Sequence, residues 1–119
     1  MAKDNFNYIA FKILTYYYGC LKNKIVFDEK VFLATVNDNN IDDTYFIEVL
    51  RSLVNEGYLE GLVFTNAWGN VYILANDYVD GSITHKGVEY LTENSAMKKA
   101  HGFAKEAGGL IVKLIPFVM

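Results

Sequence analysis

The chain has 119 residues, of which 52% are hydrophobic and 21% charged, and it contains eight Phe, nine Tyr and one Trp. This length and composition predict a single folded domain with a dense core and exclude a disordered chain. The net charge of −3 disfavours a generic nucleic-acid binder, which is usually basic. Because the single cysteine, Cys20, makes no internal disulfide, we expect a reducing, cytoplasmic setting without a secretory leader.

The first predicted element is an amphipathic helix over residues 4–21. Its apolar residues recur at helical spacing along one face. A second apolar stripe, formed by Tyr8, Phe11 and Tyr18, lies on the opposite side. Since a helix that rests on one core needs only one apolar face, we expect another segment or another subunit to cover this stripe.

Three short elements are predicted next. Residues 24–27 have the composition of a short strand, and Asp28 is a typical N-cap for a helix that ends near Val36. A stronger helix follows, capped by Asp42 or Asp43 and stopped by Gly57. Its outward line consists of Thr44, Glu48, Arg51 and Asn55.

The second half of the chain begins with two strand-like runs at 58–65 and 71–75, joined by Asn66-Ala67-Trp68-Gly69-Asn70, a turn of hairpin length. Thr84 is a typical cap for a helix that runs to about Glu93, and a further helix is predicted over 95–107. The order of elements predicts an α+β fold: a winged helix-turn-helix of three helices plus a β-hairpin wing, with a C-terminal helical extension. We expect the winged-helix domain over residues 1–94 and a C-terminal helix with an apolar tail over 95–119.

Two stretches carry a family resemblance. GSITHKGVEYLTENSAMKKAHGFAKE contains the pattern I-T-x-K-G-x-E-Y-L-x-E-N-S-x-M-x-K-A, and LVNEGYLEG has the layout of a helix-to-hairpin junction. Both stretches resemble the YjcQ family, small winged-helix proteins of Gram-positive bacteria and their prophages. The resemblance implies the winged-helix fold and a phage or prophage context, but no catalytic or binding residues, because the family has no established biochemical function. The pattern falls on Ile83, Thr84, Lys86, Gly87, Glu89, Tyr90, Leu91, Glu93, Asn94, Ser95, Met97, Lys99 and Ala100.

No arrangement of residues indicates catalysis or a cofactor. The sequence has no phosphate-binding glycine loop and no nucleophilic-serine motif. His85, His101 and Cys20 are too far apart in sequence for a typical zinc site. The acidic stretch that starts at Asp38 imitates a calcium loop, but it has Asp43 where glycine is needed and Val49 where the bidentate glutamate is needed. We therefore expect no metal, no cofactor and no enzymatic activity.

Charge is distributed unevenly along the chain. Residues 1–27 hold four lysines and one acid, residues 28–81 hold two cations and ten acids, and residues 82–119 hold five lysines and three acids. The acidic pairs at 28–29 and 42–43 stand at predicted helix N-termini, where they complement the helix dipole. The predicted recognition helix and wing lie in the acidic part, where Arg51 is the only cation placed to meet a phosphate.

Two functions stay open from the sequence. By analogy with other winged helices, we expect a DNA-binding or phage regulatory protein with duplex DNA as its partner. The alternative is a protein–protein interaction module that does not bind DNA, with Trp68 as an exposed anchor. Both would use the third helix and the hairpin tip, so the candidate contact residues are Thr44, Arg51, Asn55, Asn66, Trp68 and Asn70.

The apolar tail, residues 110–119, is too short to span a membrane. A free tail would expose a contiguous apolar patch, which soluble monomers rarely tolerate. We expect the tail to cover the second stripe of the first helix, within one chain or across a two-fold axis, and we favour a homodimer. The candidate packing residues are Tyr8, Phe11, Tyr18, Leu110, Ile111, Leu114, Ile115 and Phe117.

Overall fold

The computed structural model describes residues 5–118, except for the side chain of Phe117. Within this range the chain forms six α-helices, four short strands and one turn of 3₁₀ helix, which together make an α+β fold. The elements are α1 (Phe6–Leu21), α2 (Glu29–Val36), α3 (Asp43–Asn55), β1 (Leu59–Glu60), β2 (Phe64–Trp68), β3 (Val71–Leu74), the 3₁₀ turn (Tyr78–Asp80), β4 (Ser82–Ile83), α4 (His85–Glu93), α5 (Ser95–Ala107) and α6 (Leu110–Val118).

Helix α1 runs through the centre of the molecule. It packs against α2, α3, α4, α5, α6 and β4, and it is buried from Tyr8 to Tyr17. A helix that is apolar on several sides is stable only when it is buried on those sides. The two-sided apolar pattern of the first helix therefore corresponds to a helix enclosed by its own chain.

The predicted helix starts and stops are confirmed by their hydrogen bonds. The side chains of Asp28, Asp42 and Thr84 accept bonds from backbone N–H groups in the first turns of α2, α3 and α4. Helix α5 ends at Gly108, which has a φ of 72°, and Gly57, with a φ of 84°, follows the end of α3. Glycine adopts this left-handed conformation without strain, so the glycines end both helices where the sequence predicts.

Two separate two-stranded antiparallel sheets form in the second half of the chain. Strands β2 and β3 make the predicted hairpin, with Thr65 opposite Ile73 and a register shift between Asn66 and Trp68. Strand β1 pairs instead with β4, which places Leu59 opposite Ile83. The single strand predicted over 58–65 is therefore divided at Gly61, whose φ of 87° turns the chain away from the β1–β4 pair.

The prediction of a strand over residues 24–27 is wrong. These residues form no strand, because the backbone N–H groups of Lys24 and Ile25 donate to the carbonyl of Gly19 at the end of α1. With these donors satisfied by the helix end, the segment bends at residues 24 and 25 and links α1 to α2 without regular structure.

The C-terminal helices complete the core. Met97, Ala100 and Ala104 of α5 and Ile111 and Ile115 of α6 belong to the same buried cluster as α1. The predicted boundary at residue 94 falls at the turn where Asn94 ends α4 and caps α5. Within residues 5–118, no helix combines the length and apolar character needed to cross a bilayer.

Candidate interaction surface

Arg51, the only cation on the outward line of α3, is already engaged by its own chain. Its guanidinium donates to both carboxylate oxygens of Glu48, at 3.0 and 3.2 Å, and lies 3.7 Å from the centre of the Tyr72 ring on β3. The ion pair partly offsets the charge, and the stacking holds the side chain against the hairpin. Thr44 and Asn55, the other two candidates on this line, are exposed.

The hairpin tip combines polar turn residues with one highly exposed tryptophan. The side-chain amide of Asn66 donates to the carbonyl of Gly69 and shapes the turn. Asn70 is exposed, and Trp68 is 81% exposed. Tyr72, the ring that contacts Arg51 of α3, is the cross-strand partner of Asn66. The tip of the hairpin therefore extends beyond the contact between α3 and the hairpin.

The segment that forms the hairpin carries no charge. Residues 61–76 contain no Asp, Glu, Lys, Arg or His, although Val63 and Ile73 are 55% and 49% exposed. Trp68 lies opposite Val71, and Ile73 follows two residues later, so these three side chains project from one face of the hairpin. We call Trp68, Val71 and Ile73 the hairpin face. Proteins usually protect an exposed, uncharged strand pair of this kind from association with other chains.

A groove with a volume of about 430 Å³ opens where Ile73 and Leu74 of β3 meet the length of α2 and the N-terminal half of α3. We call it the α2–α3 groove. Its apolar lining includes Leu33 of α2, Phe46 and Ile47 of α3, and Tyr78. Because Ile73 belongs to both surfaces, the hairpin face and the groove are continuous.

The free polar groups of the groove are carboxylates. Asp28 and Asp42 cap the two helices, and the next residue in each case, Glu29 or Asp43, lines the groove. No lysine, arginine or histidine is part of this lining. Burial raises the pKa of the Tyr78 hydroxyl, and the nearby charges of Asp43 and Glu29 raise it further. The groove therefore combines an apolar lining with negatively charged side chains.

The two amides of the groove are occupied by backbone groups. The side chain of Asn37 accepts from the N–H of Ile41. The side chain of Asn76 accepts from the N–H of Val63 and donates to the carbonyl of Gly61. These bonds hold the walls in place and leave Glu29 and Asp43 as the charged groups that a ligand would meet.

The candidates for tail packing lie on α1 and α6. Tyr8 and Phe11 are buried, and α5 supplies their neighbours: Tyr8 meets Phe103 edge to face at 4.8 Å, and Phe11 stacks on His101 at 5.8 Å. Tyr18 is half-buried under the ammonium of Lys22. In the same chain, α6 packs on α1.

Within α6, the buried side chains are Ile111, Ile115 and Val118, whereas Leu114 is half-buried and Leu110 is 44% exposed. The side chain of Phe117 lies outside the described residues. Gly19 leaves room for this packing, because a Cβ atom there would come within 3.0 Å of Val118. The stripe on α1 is thus enclosed within one chain, and a homodimer stays a prediction.

One buried ion pair is not foreseen by sequence reasoning. The ammonium of Lys12, on the buried surface of α1, lies 2.7 Å from Oδ1 of Asp38 and 4.6 Å from the centre of the Tyr8 ring. The available signal was a lysine inside an otherwise apolar stretch of helix. Its partner lies 26 residues away, in a turn whose local sequence predicts only backbone bonding.

Two further titratable groups, Cys20 and His101, have pKa values shifted by their surroundings. Burial raises the pKa of Cys20 to about 11, so its thiol stays protonated and weakly nucleophilic at neutral pH. Burial and the charge of Lys105 lower the pKa of His101. Across residues 5–118, no three His, Cys, Asp or Glu side chains gather closely enough to hold a metal ion.

The two stretches of the family pattern pack against each other at the start of α4. The hydroxyl of Thr84 donates to the carbonyl of Gly57 at 2.6 Å, and the ammonium of Lys86 donates to the carbonyl of Glu56 at 2.7 Å. Gly87 lies so close to the carbonyl of Tyr58 that a Cβ atom would collide with it. The pattern residues at this junction therefore fasten α4 to the end of α3.

The fold defines the class of this protein: a small α+β chain with a central buried helix and a projecting hairpin. The model for the family described as YjcQ protein matches residues 11–109, and the chain belongs to that family. No curated protein and no solved structure gives a significant match.

Proposed function

We propose that the protein is a protein-interaction module built on a winged helix, with the β2–β3 hairpin as the wing and α3 as the helix beside it. The order of α1, α2, α3 and the hairpin supports this assignment, as does the packing of α3 on β3. The proposal includes no catalytic role and places the protein in the cytoplasm, where a single thiol stays reduced. A regulatory role in a phage or prophage stays a prediction from the family.

The observation that carries the proposal is the uncharged, exposed hairpin. In a chain with 21% charged residues, residues 61–76 have none, yet this segment exposes Trp68, Val63 and Ile73. Each large apolar side chain that a partner buries contributes about 1.5–3 kcal/mol. Tryptophan is also among the residues enriched at binding hot spots. A protein partner would therefore gain most of its binding energy here.

DNA binding is the second candidate, and the electrostatics weigh against it. Phosphate contacts supply most of the nonspecific affinity for DNA, and they require free lysine and arginine side chains. Arg51 is paired with Glu48 and stacked on Tyr72, and the wing carries no cation. A phosphate would have to compete with an ion pair that is already formed.

Site-specific photo-crosslinking tests the proposal directly. A photoreactive amino acid at position 68 should give protein adducts in the host cell, because this position lies on the hairpin face. The matched control is position 26, since Val26 is 90% exposed but lies on the link before α2. The adducts at position 68 should be lost on Ile73→Asp. Equal adducts at both positions, or none at position 68, would contradict the proposal.

A titration with mixed-sequence duplex DNA over a range of salt concentrations tests the second candidate. We expect no measurable binding even at low salt. If binding is found, Arg51→Ala should weaken it and lower the salt slope by about one, as expected for the loss of one phosphate contact. That result would replace the protein-interaction proposal with DNA binding.

A further inference from the structure

We infer that the α2–α3 groove accepts an apolar side chain flanked by lysine or arginine, from a segment of the protein partner. This inference rests on the proposed function and specifies the chemistry of the partner. The groove combines an apolar lining from α3 and β3 with carboxylates on Glu29 and Asp43. A segment that is both apolar and basic complements both properties at once.

The apolar part of the argument concerns shape and continuity. A volume of about 430 Å³ falls within the range of ~300–1,000 Å³ typical of ligand pockets. Phe46 is buried, whereas Ile73 at the margin is half-exposed. A partner that contacts Trp68 on the hairpin face reaches Ile73 on the same face, and from there its next side chains reach the groove.

The charge of the groove selects the flanking residues. Four carboxylates, on Asp28, Glu29, Asp42 and Asp43, stand at the two helix N-termini. Lys30, the second residue of α2, offsets one of these charges, and each helix dipole offsets about half of one more, so the negative charge prevails. Among residues 5–118, neither Glu29 nor Asp43 forms a salt bridge. A lysine or arginine is therefore attracted, and an acidic or phosphorylated segment is repelled.

Residue-resolved NMR with three short peptides tests the inference. The probes are alternating Leu-Lys, Leu-Glu and Leu-Ser octapeptides, titrated into the ¹⁵N-labelled full chain. We expect the Leu-Lys peptide to shift the amide signals of Phe46, Ile47 and Leu74 and to bind more weakly as salt rises. The Leu-Glu peptide should leave these signals unchanged, and the Leu-Ser peptide should bind less tightly than Leu-Lys. Shifts located elsewhere, or equal binding of all three peptides, would overturn the inference.

Matched variants separate the groove from the overall charge of the chain. Glu29→Gln with Asp43→Asn should weaken Leu-Lys binding about 2- to 25-fold, since an exposed ion pair contributes roughly 1.4- to 5-fold. Glu60→Gln with Glu106→Gln changes the net charge equally at exposed sites that do not line the groove and should have no comparable effect. Circular dichroism and unfolding curves show whether each variant is folded, and an equal loss in both pairs would refute a groove-specific role.

The two proposals fail in different ways. If crosslinking at position 68 survives Glu29→Gln with Asp43→Asn, the hairpin binds a partner but the groove does not select its charge. If crosslinking is absent while the Leu-Lys peptide binds the groove, the groove inference stands and the hairpin proposal is wrong.

Discussion

The molecule has two apolar surfaces, and they differ in whether the rest of the chain covers them. The second stripe of α1 lies against α5 of the same chain, where Tyr8 and Phe11 meet Phe103 and His101, and α6 packs on the same helix. The hairpin face is equally free of charge, but it leaves Trp68 and Ile73 exposed. All helices that follow the hairpin pack towards α1 or one another, so the chain covers the first surface and leaves the second exposed.

The same contrast appears in the treatment of charge. Helix α1 contains a buried ammonium, that of Lys12, which requires Asp38 as its partner. The exposed hairpin contains no charge, although charged side chains there would be freely solvated. Composition alone would predict the reverse, since charges usually occupy exposed positions. A surface that departs from this rule is a candidate for binding.

The strongest test of the comparison is deletion of residues 109–119. Removing the buried side chains of Ile111, Ile115 and Val118 should cost roughly 4.5–9 kcal/mol, at about 1.5–3 kcal/mol for each. That loss is comparable to the whole stability of a small domain, about 5–15 kcal/mol. The deleted chain should unfold at much lower urea concentration.

Point variants and light scattering refine this test. Ile111→Ala should lose about 2–5 kcal/mol, whereas Leu110→Ala, on the exposed side of α6, should lose less than about 0.5 kcal/mol. The mass of the intact and deleted chains in solution shows whether the tail also joins two copies. A deleted chain of unchanged stability would contradict the packing of α6 on α1.

A second test concerns the buried ion pair. Asp38→Ala leaves the ammonium of Lys12 buried without its partner, which should cost about 3–5 kcal/mol. Adding Lys12→Met to this variant removes the unpaired charge and should recover a large part of the loss. Urea unfolding of the wild type, both single variants and the double variant gives the coupling energy. If the losses of the single variants simply add, the pair is not coupled.

The smallest expected effect belongs to the hairpin face. Trp68→Ala and Ile73→Thr remove exposed side chains, so each should change the free energy of unfolding by less than about 0.5 kcal/mol. Trp68 is the only tryptophan, so its fluorescence in the wild type should resemble that of a solvated indole and change little on unfolding. A loss above about 1.5 kcal/mol would show that the hairpin face is structural and would remove the contrast with α1.

Much of the fold could be predicted from local sequence. The caps at Asp28 and Thr84, the stops at Gly57 and Gly108 and the hairpin around Trp68 depend on residues a few positions apart. The strand predicted over 24–27 failed because its N–H groups find acceptors at the end of α1. The pairing of β1 with β4 was missed because the two strands are separated by the whole hairpin.

The candidate site, too, could be predicted from the sequence only in part. Trp68 and the absence of cations from the wing were apparent from the sequence. The stacking of Arg51 on Tyr72 and the α2–α3 groove were not, because both depend on how α3 sits against β3. The groove also joins Glu29 and Asp43, which in the sequence are explained separately by two helix dipoles.

By itself, the sequence determined where helices begin and end, which segments are apolar and that the hairpin is uncharged, because these properties depend on neighbouring residues. Only the tertiary structure decided that α5 and α6 enclose α1, that Lys12 pairs with Asp38 and that a negative groove adjoins the hairpin face. These contacts join residues far apart in the chain, and local periodicity carries no information about which distant surface a segment will meet.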